Sequence, residues 1–162
     1  MFALAWIVLL GLGMVAYHGW LDTPRTPGQQ PVSVLHADGT AVVRLAPGAR
    51  NHYYTRGRVN GHEVVLLVDT GASDMVVPHK LARQLQLPAL GRGIAMTANG
   101  RVEVTRTRLD TLEIGEIRLF AVPAIITPGM EGEIILLGMS ALRELDFRSE
   151  GGDLVLEQAP RP

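Results

Sequence analysis

The sequence predicts a mainly β domain, a small closed barrel or sandwich with one or two short helices, behind an N-terminal transmembrane helix. Three observations lead there. Beyond residue 32, apolar side chains recur mostly with a period of two. Turn dipeptides separate the apolar runs: Asp38-Gly39, Asn60-Gly61, Asn99-Gly100 and Gly115-Glu116. The opening stretch MFALAWIVLLGLGMVAY contains no charged side chain.

The bulk numbers bound the rest. A chain of 162 residues has room for one ordinary domain and an appendage. Its 47% apolar and 19% charged residues argue against wholesale disorder. A net charge of −1 supplies no field to hold nucleic acid or an anionic bilayer surface. With no cysteine, disulfides, zinc–thiolate centres and thiol nucleophiles are excluded.

Residues 1–20 read as a transmembrane signal-anchor. Trp6 and Trp20 lie near the two ends of the apolar run, as interfacial rings do. No Lys or Arg precedes the run and no A-x-A site follows, which weighs against a cleaved signal peptide. Arg25 and Arg44 behind it are too sparse to set its orientation. Residues 21–31, LDTPRTPGQQP, form a linker, because three prolines and a glycine neither continue a helix nor enter a sheet interior.

Residues 32–162 form the folded domain. Hairpins are predicted at 32–36 with 40–45, at 53–59 with 63–68, at 94–97 with 102–109, and at 112–114 with 117–122. A fully apolar run, 134–137, reads as a short buried strand, and 153–156 closes the chain after Gly151-Gly152. One helix is expected to begin at Pro78 and to place Leu81, Ala82 and Leu85 on one face; a second is expected at 140–145. No βαβ alternation and no solenoid repeat is present.

The chemistry-bearing motif is VVLLVDTGAS at 64–73. A five-residue apolar strand ends abruptly at Asp69, so a carboxylate is delivered to a place where solvent is restricted. Thr70 offers a hydroxyl to a hydrogen-bond network. Gly71 lets the backbone bend and offers its N–H to the carboxylate. Ala72 keeps the floor small enough for a peptide backbone to lie across it. Asp-Thr-Gly arises by chance in roughly a few per cent of chains this long, and the preceding apolar run lowers that well below about one per cent. Other acids fit less well. A phosphatase of the haloacid-dehalogenase type needs a second Asp where Gly71 stands. Asp110, Glu113 and Glu116 sit at turn-rich positions, and Asp146 lacks a Thr-Gly context. None of the five histidines has a metal-ligand spacing, so no metal and no cofactor is expected.

Residues 64–73 resemble the active-site loop of retroviral-type aspartic proteases, the retropepsins, and of their bacterial membrane-anchored relatives. The likeness extends over roughly residues 53–157. RVNGHEVVLLVDTGAS resembles the hairpin and strand that feed the loop, and IAMTANGRVEV sits where those proteins carry a flap. IILLG followed by a short helix resembles the element that closes their fold and threads the loop. The resemblance implies a small closed β-barrel of retropepsin type, with Asp69 as the catalytic aspartate. It makes Thr70 a cross-subunit hydrogen-bonding residue and Gly71 a partner of the carboxylate. Ala72, Ser73 and Asp74 would line the cleft, and Thr97, Ala98, Asn99 and Gly100 would form the flap tip. Gly138 would serve packing. The implied partners are a polypeptide substrate, a second copy of the chain and the membrane, with no nucleic acid. The implied location is the bacterial inner membrane, single-pass, with the catalytic domain in the periplasm.

Peptide hydrolysis by this chemistry needs two carboxylates sharing one proton, one activating water and the other donating to the carbonyl oxygen. The chain contains a single Asp-Thr-Gly, so a two-fold homodimer is required to bring two such acids together. The competing function is a non-catalytic, membrane-tethered β-domain that uses the protease fold for binding or assembly. The protease reading expects polypeptide hydrolysis with an acidic-to-neutral pH optimum and no metal requirement. A cleavage assay run across pH, with and without EDTA, checks both; abolition by EDTA counts against the reading.

Overall fold

A computed structural model describes residues 30–97 and 100–160. The expected membrane span and most of the linker lie outside the described residues, as do Ala98 and Asn99. Among the described residues, no helix is long and apolar enough to cross a membrane.

The first hairpin joins β1 (Val32–Leu35) to β2 (Ala41–Leu45). Its turn is closed by Gly39 N–H donating to the His36 carbonyl, at 2.9 Å. The Asp38 carboxylate accepts the Thr40 N–H at 2.9 Å, and its hydrogen bonds from Thr40 hold it below the usual carboxylate range. The second hairpin, β3 (Tyr54–Val59) to β4 (His62–Val68), turns at Asn60 (φ 50°) and Gly61 (φ 81°). Two consecutive positive φ angles are what a tight two-residue hairpin demands, and Asn-Gly supplies them at least cost. After the turn that follows β4 come β5 (Met75–Pro78) and helix α1 (His79–Gln84). Then come β6 (Gly91–Thr97), β7 (Gly100–Ile114), β8 (Ile117–Thr127) and β9 (Ile134–Leu137). Helix α2 (Met139–Leu142), β10 (Asp146–Glu150) and β11 (Asp153–Gln158) complete the described chain.

The mainly β class with two short helices is as the sequence predicts. The strands divide between two sheets: β1-β2-β11-β10, and β3-β4-β9-β5-β8-β7-β6. In the larger sheet β3 also pairs with β7, so the order of pairing returns to its first strand. Several details differ from the sequence reading. Met75–Pro78 is a strand rather than the approach to a helix, and α1 starts after Pro78, at His79. Its pairing is parallel to the distant β8, which no local pattern announces. Asp146–Glu150 is a strand whose five residues are all exposed, so it has no alternation to read. The runs predicted at 102–109 and 112–114 are one 15-residue strand, and the second helix occupies Met139–Leu142.

The single long β7 has a physical reason for looking like two. Its buried side chains step from Leu109 to Leu112, skipping a position, and those of β8 step likewise from Leu119 to Val122. The two slips face each other, because Leu112 pairs with Leu119 and Leu109 with Val122. Ala121, between them, has φ 52°, a conformation costly for any residue with a side chain. Beyond the slip, β7 pairs with β3 through Val59↔Leu112 and Arg58↔Glu113.

The core lies beneath both sheets. Leu66, Met75, Leu109, Leu112, Ile114, Ile117, Leu119, Ile135, Leu137, Leu142 and Leu156 are fully buried, each worth about 1.5–3 kcal/mol of apolar burial. On the outer face of the smaller sheet, Arg44, Val155 and Arg148 lie in register on adjacent strands. Val155 is nonetheless buried, beside the ion pairs Arg44–Glu150 (2.8 Å) and Arg148–Glu157 (2.9 Å). Such exposed pairs add little by themselves; their apolar stems do the covering.

Where β3 meets β7, the backbones approach closely. A Cβ on Gly57 would lie 2.6 Å from the Glu113 carbonyl oxygen and 2.7 Å from Leu66 Cδ1. Gly57→Ala is therefore expected to destabilise the fold by about 1–3 kcal/mol, read as a lower urea midpoint at unchanged slope.

Candidate active site

Strand β4 is apolar from Val64 to Val68 because both of its faces are at least half-covered there. It pairs antiparallel with β3 and parallel with β9, in the register Val68↔Leu137. Val64 and Leu66 point into the core, and the next residue after the strand is Asp69. The strand is thereby a rigid arm that ends at a carboxylate.

The chain turns at once. Asp69 N–H donates to the Leu137 carbonyl (3.1 Å), and Ala72 N–H donates back to the Asp69 carbonyl (3.2 Å). Within this turn Gly71 N–H donates to Asp69 Oδ1 at 2.9 Å. A charge-assisted bond of this kind holds the carboxylate in one orientation. Asp69 is half-buried, with Thr70, Gly71 and Ser73 exposed around it and Ala72 and Asp74 half-buried. The acid is thus fixed by the protein on one side and reachable from the other.

The far side of the turn is held by the same segment that holds its start. Met139 N–H donates to the Ala72 carbonyl at 2.8 Å. Leu137 and Met139 flank Gly138, so one three-residue segment grips both ends of the Asp69–Ala72 turn. Gly138 lies at φ −90°, a conformation open to any residue, so its requirement is space and not flexibility. A Cβ there would overlap the Asp74 carbonyl oxygen and would come within 2.9 Å of the Ala72 carbonyl oxygen. Upstream, the Tyr53 carbonyl accepts the Val68 N–H at 3.0 Å, one residue before the acid. The Tyr53 hydroxyl donates to the Gly152 carbonyl at 2.9 Å, which ties the acid end of the arm to the β10–β11 turn.

Of the residues singled out from sequence, the structure brings Asp69, Thr70, Gly71, Ala72, Ser73 and Asp74 into one turn. Thr97 and Gly100 face each other at the end of the β6–β7 hairpin, where the Thr97 hydroxyl donates to the Gly100 carbonyl at 3.0 Å. Gly100 has φ 102°, in keeping with a tight reversal. Ala98 and Asn99, the other two residues assigned to that tip, lie outside the described residues. Along the same hairpin Ile94 and Met96 are 60% and 76% exposed, a large apolar surface for one short strand. Sequence reasoning missed the Leu137 carbonyl, the Met139 N–H and the Tyr53 carbonyl. These are main-chain groups, and only the resemblance of IILLG to a loop-threading element pointed toward two of them. Among the described residues, no group of three or more His, Asp or Glu side chains is arranged to hold a metal ion.

Comparison with known proteins bears on this geometry. A family described as gag-polyprotein putative aspartyl protease matches residues 55–144, which span the turn, the β6–β7 hairpin and the Gly138 segment. An uncharacterized protein encoded in the cobV 5′ region of Sinorhizobium sp. is 29% identical over 124 residues, covering 75% of this chain and 53% of that protein. The chain thus spans about half the length of that curated relative. The crystal structure of a retropepsin-like aspartic protease from Rickettsia conorii superposes with a TM-score of 0.63 at 23% identity, over 80% of this chain and 97% of that one. The fold is therefore retropepsin-like.

Gly138→Ala forces its methyl group into the backbone of residues 72–74. The expected outcome is a loss of about 2–3 kcal/mol or outright misfolding, with amide exchange accelerated first at Asp69 and Ala72. Hydrogen exchange with mass-spectrometric readout checks it.

Proposed function

This chain belongs to the gag-polyprotein putative aspartyl protease family, and on that premise we propose that it is an aspartic endopeptidase. Its active site is completed when two copies bring their Asp69 side chains together. The observation that carries the reading is the Asp69 turn. A carboxylate at the end of a rigid strand is oriented by Gly71 N–H and remains accessible from outside. Pre-set orientation of this kind is what proton transfer to and from a bound water requires.

The chemistry follows from charge. Two carboxylates that face each other across a two-fold axis do not both ionise readily, so they retain one shared proton. The ionised acid takes a proton from water as that water attacks the peptide carbonyl. The protonated acid donates to the carbonyl oxygen, and the tetrahedral intermediate then collapses with proton transfer to the leaving amine. Thr70, exposed beside each Asp69, is placed in this reading at the contact between the two turns. Ala72, Ser73 and Asp74 line the cleft floor, and the β6–β7 hairpin end, residues 97–100, covers an extended polypeptide substrate. Backbone pairing grips such a substrate whatever its sequence, and alternate side chains select it.

In the same reading the domain is held by residues 1–20 on the inner membrane of a bacterium, single-pass and facing the periplasm. The uncharged first 17 residues and the proline-rich linker support this, and the named relatives are bacterial.

Asp69→Asn is expected to lower cleavage of denatured casein by roughly three orders of magnitude or more while leaving the folded state intact by circular dichroism. Full cleavage by this variant removes the role of Asp69 and the aspartic mechanism; no cleavage by the wild-type protein removes the endopeptidase assignment and leaves a binding domain. Mixing tests the second copy. When equal amounts of wild type and Asp69→Asn exchange freely, only about one dimer in four carries two intact acids. Activity is then expected to fall to about half of that of the wild-type protein present; activity unchanged on mixing argues for a site complete in one chain.

A further inference from the structure

The start of the Asp69 turn is held by main-chain groups; its exit, where β5 pairs with β8 and β9, is also held by a side chain. Beyond Ala72 the chain runs through Ser73 and Asp74 into β5, whose first residue, Met75, is fully buried. The Met75 N–H donates to Ser140 Oγ at 2.8 Å. Ser140 Oγ in turn donates to the Pro123 carbonyl, also at 2.8 Å. Ser140 is 6% exposed and its bond from Met75 is buried, so solvent does not compete for that bond.

The direction of this relay is settled by its ends. An amide N–H only donates and a carbonyl only accepts, so the single hydroxyl proton must point to Pro123. Ser140 is the second residue of α2, behind Gly138 at the N-cap, and the start of α2 has no side-chain cap. Ser140 reaches outward and ties together α2, β5 and β8. Its neighbour Met139 holds Ala72, and Leu137 holds Asp69. Residues 137–140 therefore grip the loop at entry, middle and exit.

We infer that Ser140 is a positioning residue for the Asp69 carboxylate, acting through the exit of the turn. This inference rests on the endopeptidase reading above. Alanine in its place leaves the buried Met75 N–H without its partner, and the turn relaxes to recover one. A carboxylate displaced by a fraction of an ångström no longer aligns the water, while the β6–β7 hairpin still covers substrate over a floor shifted only slightly at Ser73 and Asp74. The loss therefore falls mainly on kcat and only weakly on KM.

The test uses the full chain with fluorescein-labelled, heat-denatured casein as the probe. Ser140→Ala is expected to lower kcat roughly ten- to a hundredfold, with KM changed less than about threefold. Ser140→Thr keeps the hydroxyl and is expected to restore kcat to within about threefold. Leu156→Val, in the remote small sheet, serves as a stability control: it lowers the melting temperature and leaves kcat at the wild-type value at temperatures where it is folded. If Ser140→Ala does not fold, Ser140→Cys carries the test, since its thiol fills the space but hydrogen-bonds weakly, and the same drop in kcat is expected. A wild-type kcat in the folded Ala or Cys variant, with only the melting temperature reduced, overturns the role of Ser140 alone. Intact casein after incubation with the wild-type protein overturns the endopeptidase reading, and the role of Ser140 with it.

Discussion

The approach of the Gly138 backbone to the Asp69–Asp74 turn is the constraint on which the rest of the structure depends. Two segments far apart in sequence meet where there is no room for a single methyl group. The contact allows Leu137 to accept from Asp69 and Met139 to donate to Ala72. It also fixes the register of β9 against β4, and β9 is the strand that links β4 to β5. A side chain at position 138 would disturb the geometry of the acid and the continuity of the larger sheet together. Fold and site share one packing requirement.

The two sheets are not independent supports. Tyr53 carries one main-chain bond to the residue preceding Asp69 and one side-chain bond to the turn of the smaller sheet. Ser33 accepts the Glu116 N–H at 2.7 Å, which pins the first hairpin to the tip of the β7–β8 hairpin. The bend in β7 and β8, with Ala121 held at positive φ, turns the outer part of that hairpin toward β3. Strain of this kind persists only where the surroundings over-determine it. Here the fully buried Leu109, Leu112, Leu119 and Val122 on both sides supply that determination.

Much of this was legible in the sequence, and the remainder has identifiable causes. Hairpins with Asn-Gly or Asp-Gly turns were readable because a glycine at positive φ behind Asn or Asp leaves a compositional trace. The strand that ends at Asp69 was readable because both of its faces are at least half-covered from Val64 onward, which makes it continuously apolar. Met75–Pro78 was not readable as a strand, since its partners lie far along the chain and its proline suggests a helix start. Asp146–Glu150 was hidden because an exposed edge strand has no inside and outside to alternate. The six-residue turn of the candidate site was found from its own letters, whereas the carbonyl of Leu137 and the N–H of Met139 exist at every residue and carry no mark. Ser140 carried no mark either: in the sequence it is only the first residue of the helix expected at 140–145, and its partners Met75 and Pro123 lie far along the chain.

The parallel pairing of β4 with β9 has a consequence for how the protein is made. Parallel strands close only after the chain between them has been laid down, and such non-local contacts form late. During synthesis the strand that ends in Asp69 emerges long before residues 134–140 exist to receive it. Until they arrive, the turn lacks its braces and β4 presents an unpaired apolar edge, a state prone to association with other chains. The acid thus gains its fixed geometry only once residues 134–140 have emerged and docked. A ribosome stalled before that point would release a polypeptide with every catalytic letter present and no arranged site.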